Sequence, residues 1–139
     1  MIFKRKKVER PKNRLGLALL KYDGIWNSEL HKIMQSIKQK KAINNIKAGI
    51  VLDDVFYKLD AIADDISREN FKTDYRSDKT RDSILELIWD LKALLQHLIS
   101  NSFDFKNPLL AESEAKISRL VEGRQSLKIK MKDIESDYQ

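Results

Sequence analysis

The sequence predicts an all-α protein: a small antiparallel bundle of about four helices preceded by a flexible basic N-terminal arm. Three observations carry that expectation. Apolar residues recur every three or four positions over most of the chain, which is the signature of a helix hiding one face. Hydrophobic residues make up 42% and charged residues 35% of the 139 positions, with only four Gly and two Pro, a balance that suits long amphipathic helices better than turn-rich sheets. The charge is also unevenly placed. Residues 1–14 hold Lys4, Arg5, Lys6, Lys7, Arg10, Lys12 and Arg14 against Glu9, so the whole net charge of +6 falls there, and the remaining 20 basic and 20 acidic residues cancel.

The arm, residues 1–12, contains Pro11 and too few apolar side chains to pack, so it is expected to be flexible or to order only on binding. Residues 13–139 then form one helical-bundle domain, large enough to bury a core without metals or disulfides. Its first segment carries Leu15, Leu19, Tyr22, Trp26, Leu30, Ile33 and Ile37 at helical spacing. Gly24 lies inside it, and Asp23, Asn27 and Ser28 can each cap a new start, so 13–37 reads as either one helix or two.

A second periodic set begins with Ile43, Ile46 and Ile50 and continues as Leu52, Val55, Leu59, Ile62 and Ile66. Its phase slips near Gly49, where a kink or a rotated stripe is expected. Residues 67–80 lose periodicity and read as the main interhelical loop. The third helix is the clearest, because Ile84, Ile88, Leu91, Leu95 and Leu98 alternate steps of four and three, and Leu85, Leu87, Trp89, Leu94 and Ile99 widen the stripe toward a central position. Asp78 or Thr80 can cap it, or Ser83 with Glu86. Asn107-Pro108 is a cap followed by a proline, a start signal for a last helix bearing Leu110, Ile117, Leu120, Leu127, Met131 and Ile134. Residues 133–139 are expected to fray.

Several function classes lose support. With no Cys, the chain has no disulfide, thiolate metal site or cysteine nucleophile. The N-terminus lacks the apolar run of a secretory signal, and no segment has the roughly 18 apolar residues of a membrane span, so a cytoplasmic location is expected. Gly16, Gly24, Gly49 and Gly123 are isolated, so there is no glycine-rich phosphate loop. No cofactor is implied.

Two acidic rows, Asp60/Asp64 and Asp82/Glu86/Asp90, could in principle hold Mg²⁺ or Mn²⁺ if they faced one another. Neither His31 nor His97 has the Glu three residues earlier that di-iron bundles use, and a solvated acidic face is the favoured account of the rows. Neither catalytic nor metal residues are assigned. His97, among Leu94, Leu95, Leu98 and Ile99, reads as a boundary residue. Trp26 and Trp89 read as packing residues or as aromatic anchors for a partner.

The candidate binding residues are therefore basic: Lys4, Arg5, Lys6, Lys7, Arg10, Lys12 and Arg14 in the arm, and Lys38, Lys40 and Lys41, flanked by Lys32 and Lys47, between the first and second helices. The arm can neutralise phosphates in a salt-sensitive way or approach an anionic membrane surface. The first expectation is a non-catalytic interaction protein, a regulator or adaptor that grips another protein through a bundle face while the arm supplies electrostatic docking. Alternatives are a sequence-independent nucleic-acid-binding accessory protein and a metal-dependent bundle enzyme. Apolar stripes exceeding what one short bundle hides favour a homodimer. The Lys-, Ile- and Asn-rich usage fits an AT-rich bacterial or phage genome.

Overall fold

A computed structural model describes residues 11–28, 30–39, 41, 43–67 and 75–137, and within them every regular element is helical. The elements are α1 (Pro11–Asn27), α2 (His31–Lys38), α3 (Asn45–Ser67), α4 (Tyr75–Ser100), a 3-10 turn (Pro108–Leu110) and α5 (Ser113–Asp137). The expected all-α bundle is what the chain forms. Helices α1, α3, α4 and α5 are its long members, and the short α2 packs against α5.

The first expected segment is two helices, and the break is not at Gly24. The α1 helix runs past Gly24, whose carbonyl accepts from both the backbone N–H and the hydroxyl of Ser28, and Ser28 and Leu30 are turn residues before α2. The arm boundary also moves. Pro11 occupies the first position of α1, where a missing N–H costs nothing, so Pro11 and Lys12 belong to the helix. Residues 1–10 lie outside the described residues.

In α3 the phase slip near Gly49 has a different meaning from the one expected. The helix is continuous from Asn45, and the buried face is Ala48, Leu52, Val55, Leu59, Ile62 and Ile66, a regular four-three alternation. Ile46 and Ile50 are 77% and 68% exposed, so the isoleucines suggesting a second stripe are surface residues. Asn44 starts the helix, its Oδ1 accepting from the N–H groups of Ile46 and Lys47.

The α4 helix begins five residues earlier than its expected cap at Thr80 and absorbs the end of the anticipated 67–80 loop. Asp78 sits in its first turn, where a carboxylate complements the helix dipole, and pairs with Arg81 one turn on. Ile84, Ile88, Leu91, Leu95 and Leu98 are fully buried, and α4 touches α1, α3 and α5, so it is the central helix the broad stripe implied.

The Asn107-Pro108 signal is real but starts a 3-10 turn rather than the last helix. Asn107 Oδ1 accepts from Leu109 N–H, and α5 begins only at Ser113 and continues to Asp137. Before that turn, α4 ends in a Schellman arrangement, with Phe103 N–H donating to Leu98 O and Ser102 N–H to Ile99 O. His97 Nε2 meets Leu109 O at 2.7 Å, while Leu87, nearer the start of α4, lies against Gly123. The two helices therefore run antiparallel.

Candidate functional site

Two places gather chemistry, one buried and one open. The buried one joins α1 to α5. Tyr22, Asp23 and Trp26 project from α1 into the core, and Arg124 and Lys128 reach them from α5. Lys128 Nζ is 2.6 Å from Asp23 Oδ2, Arg124 Nε is 3.4 Å from Asp23 Oδ1, and the Arg124 guanidinium lies over the Trp26 ring, 5.2 Å from its centroid. Tyr22 meets Trp26 edge-on. The Tyr22 hydroxyl, Trp26 Nε1 and Arg124 Nη1 have no hydrogen-bond partner of good geometry among the described residues. Burial pushes the Tyr22 phenol up to about 12, outweighing the opposing pull of Trp26 and Arg124. This cluster is a clamp between helices: its one carboxylate is held by two cations, and one of those cations rests on an aromatic face, so it is spent on the fold.

The open place is a groove of about 750 Å³ along α4 and α5. Leu87, Leu94, Leu120 and Leu127 give it an apolar floor, and Gly123 lets the Leu87 side chain approach the α5 backbone. Its α4 wall carries Glu86 and Asp90, while its α5 wall carries Lys116, Arg119 and Lys130. None of these five charges makes an ion pair among the described residues, although they face one another across the floor. The groove is thus a floor of part-exposed Leu87 and buried Leu94, Leu120 and Leu127 between two walls of opposite sign that are unpaired among the described residues. Trp89, 56% exposed, stands on the α4 flank three residues after Glu86 and four before Ala93, and Ile129, 63% exposed, stands on the α5 flank three residues after Ser126.

The expected site residues are scattered relative to these places. Lys4, Arg5, Lys6, Lys7, Arg10 and Lys40 lie outside the described residues, and for Lys12 and Arg14 only the helical backbone is described. Lys32, Lys38, Lys41 and Lys47 are exposed around α2 and the start of α3. Trp26 is only 6% exposed, so as a surface anchor it is corrected to a core residue under Arg124, and Trp89 alone keeps the exposed role. The two acidic rows do not face each other: Asp60 of α3 pairs with Lys92 of α4, whereas Glu86 and Asp90 look toward α5. Among the described residues no three His, Asp or Glu side chains converge as a metal would require. Arg124, Lys128 and the basic wall of α5 were not singled out from the sequence, and Asp23 only as a possible cap, because each draws its meaning from a helix distant in the chain.

No protein-family model, curated protein or solved structure matches the chain. No helix among the described residues is long and apolar enough to cross a membrane.

Proposed function

We propose that this chain is a non-catalytic interaction module that holds a partner protein against the outer face of α4 and α5, with the basic N-terminal residues supplying electrostatic capture. The carrying observation is the groove, whose apolar floor runs between an acidic wall and a basic wall left without ion pairs among the described residues. Apolar surface flanked by charge is what a protein interface uses: part-exposed Leu87 with the flanking Trp89 and Ile129 supplies burial, Leu94, Leu120 and Leu127 being already covered, and the walls set orientation and reject wrongly charged partners. That arrangement supports an adaptor or regulatory reading. The bundle-enzyme alternative is weaker, since one acidic row is engaged by Lys92 and the other forms a groove wall.

The absence of cysteine permits a direct test. A single Ser126→Cys in the groove and a single Gln35→Cys on α2 are each labelled with a photoactivatable cross-linker and exposed to cell extract. Discrete protein adducts from position 126, missing from position 35 and removed by the groove-filling Ala93→Trp, are expected. Identical adducts from both positions, or none from 126, would count against the proposal.

A second reading, sequence-independent binding of nucleic acid, is favoured by one specific observation: the net charge of +6 resides entirely in residues 1–14. Its test belongs to the whole chain and is argued below.

A further inference from the structure

We infer that the partner on the α4/α5 face is a second copy of this chain, joined through a two-fold axis that runs along the groove between α4 and α5. The inference rests on the docking reading above and names its occupant.

The geometry follows from the helical rise of about 1.5 Å per residue. With Leu87 and Gly123 at one level, Glu86 lies about 1.5 Å toward the start of α4, and Asp90 lies about 4.5 Å toward its end. On the antiparallel α5, Arg119 lies about 6 Å from Gly123 in the direction of Asp90, and Lys130 about 10 Å the other way. A two-fold axis lying along the groove, in the plane between the two copies, keeps each residue's level and exchanges the walls. Asp90 of the second copy then arrives on the basic wall within about 1.5 Å, along the axis, of Arg119 and about 6 Å of Lys116, and Glu86 of the second copy stands about 8 Å from Arg119 and about 9 Å from Lys130. The Asp90 offsets are within reach of long side chains, and each pair forms twice.

The pattern is self-complementary in the sense an isologous interface demands, acid on one side of the axis and base on the other. Part-exposed Leu87 in the groove floor and exposed Trp89 lie within or beside the contact and would be covered, and Ile129 lies on its rim.

Sedimentation velocity on the full chain, from low to high micromolar concentration, tests the inference together with two charge-reversed proteins, Glu86→Lys/Asp90→Lys and Arg119→Glu/Lys130→Glu. The wild type is expected to sediment as a dimer that weakens with added salt. Each reversed protein, shown to be folded by circular dichroism, should lose at least about tenfold in self-affinity, and an equimolar mixture of the two should recover a heterodimer. Trp89→Ala should weaken the wild-type dimer. A wild type that stays monomeric throughout, or reversed proteins that self-associate as well as the wild type, would overturn the inference. A monomeric wild type that still gives groove-specific adducts with other proteins from Ser126→Cys would sink self-pairing alone. Loss of both the dimer and the adducts would remove the docking reading too.

Discussion

Asp23 shows how much one side chain can decide. It is buried, faces Arg124 and Lys128 together, and neutralises cations that would otherwise sit against Trp26 without a counter-charge. Removing one member of a buried pair leaves the other desolvated, which costs more than the pair contributes. Asp23→Asn keeps the volume and removes the charge, so it should lower stability by about 3 kcal/mol in a denaturant titration. Tyr22 has a pH signature. Its phenol titrates at about 12 in the folded chain against 10.0 when free, so folding favours the protonated form. Below pH 10 both states carry the proton and stability is unaffected; between 10 and 12 only the unfolded chain releases it, and stability falls with rising pH by roughly 3 kcal/mol. Tyr22→Phe, melted at intervals from pH 9 to 12, should lack this part of the alkaline loss. An unchanged alkaline slope would contradict the assignment.

Within elements, three helical glycines separate by what surrounds them. A Cβ at Gly49 or Gly24 meets nothing within 4 Å, whereas one at Gly123 would come within 3.0 Å of Leu87 Cδ2. Gly49→Ala should therefore gain nearly the full propensity difference of about 1 kcal/mol, or about 3 °C in melting temperature. Gly123→Ala should gain less, because Leu87 must shift. The end of α4 offers the opposite change: Ser102 and Phe103 both have φ of 53°, a left-handed conformation that disfavours side chains. Ser102→Gly should stabilise by about 1 kcal/mol, measured as a shift in denaturant midpoint. Phe103 occupies the next left-handed position because its ring is buried over the helix end.

These elements also show what could be read in advance. The alternating steps from Ile84 to Leu98 identified the buried side of α4, because large aliphatics mark a face on both sides of a central helix. The same rule misled at Ile46 and Ile50, since the inward position of that turn is Ala48, too small to register as a hydrophobic signal. Glu86 and Asp90 were visible as an acidic row. That α5, not α3, lies opposite them depends on which helices become neighbours, and spacing along one helix carries no record of that. The Asp23 clamp was hidden for the same reason.

For the whole molecule, charge and fold are separable. The first buried side chain of the described core is Leu15, α1 begins at Pro11, and residues 15–139 balance their 20 cations against 20 anions. Removing residues 1–10 takes away Lys4, Arg5, Lys6, Lys7 and Arg10 and leaves the whole of α1. The shortened chain should keep the helical circular dichroism signal and the melting temperature of the parent, because every described core residue is retained. Its affinity for duplex DNA or RNA should collapse if the second reading holds, and the slope of log affinity against log salt should shrink by about 0.9 for each phosphate that is no longer neutralised. Binding that survives with an unchanged slope would assign phosphate recognition to the exposed lysines around α2 and exclude the arm. If neither chain binds nucleic acid while the α4/α5 cross-links persist in both, the arm is dispensable for docking, and the groove alone accounts for the partner.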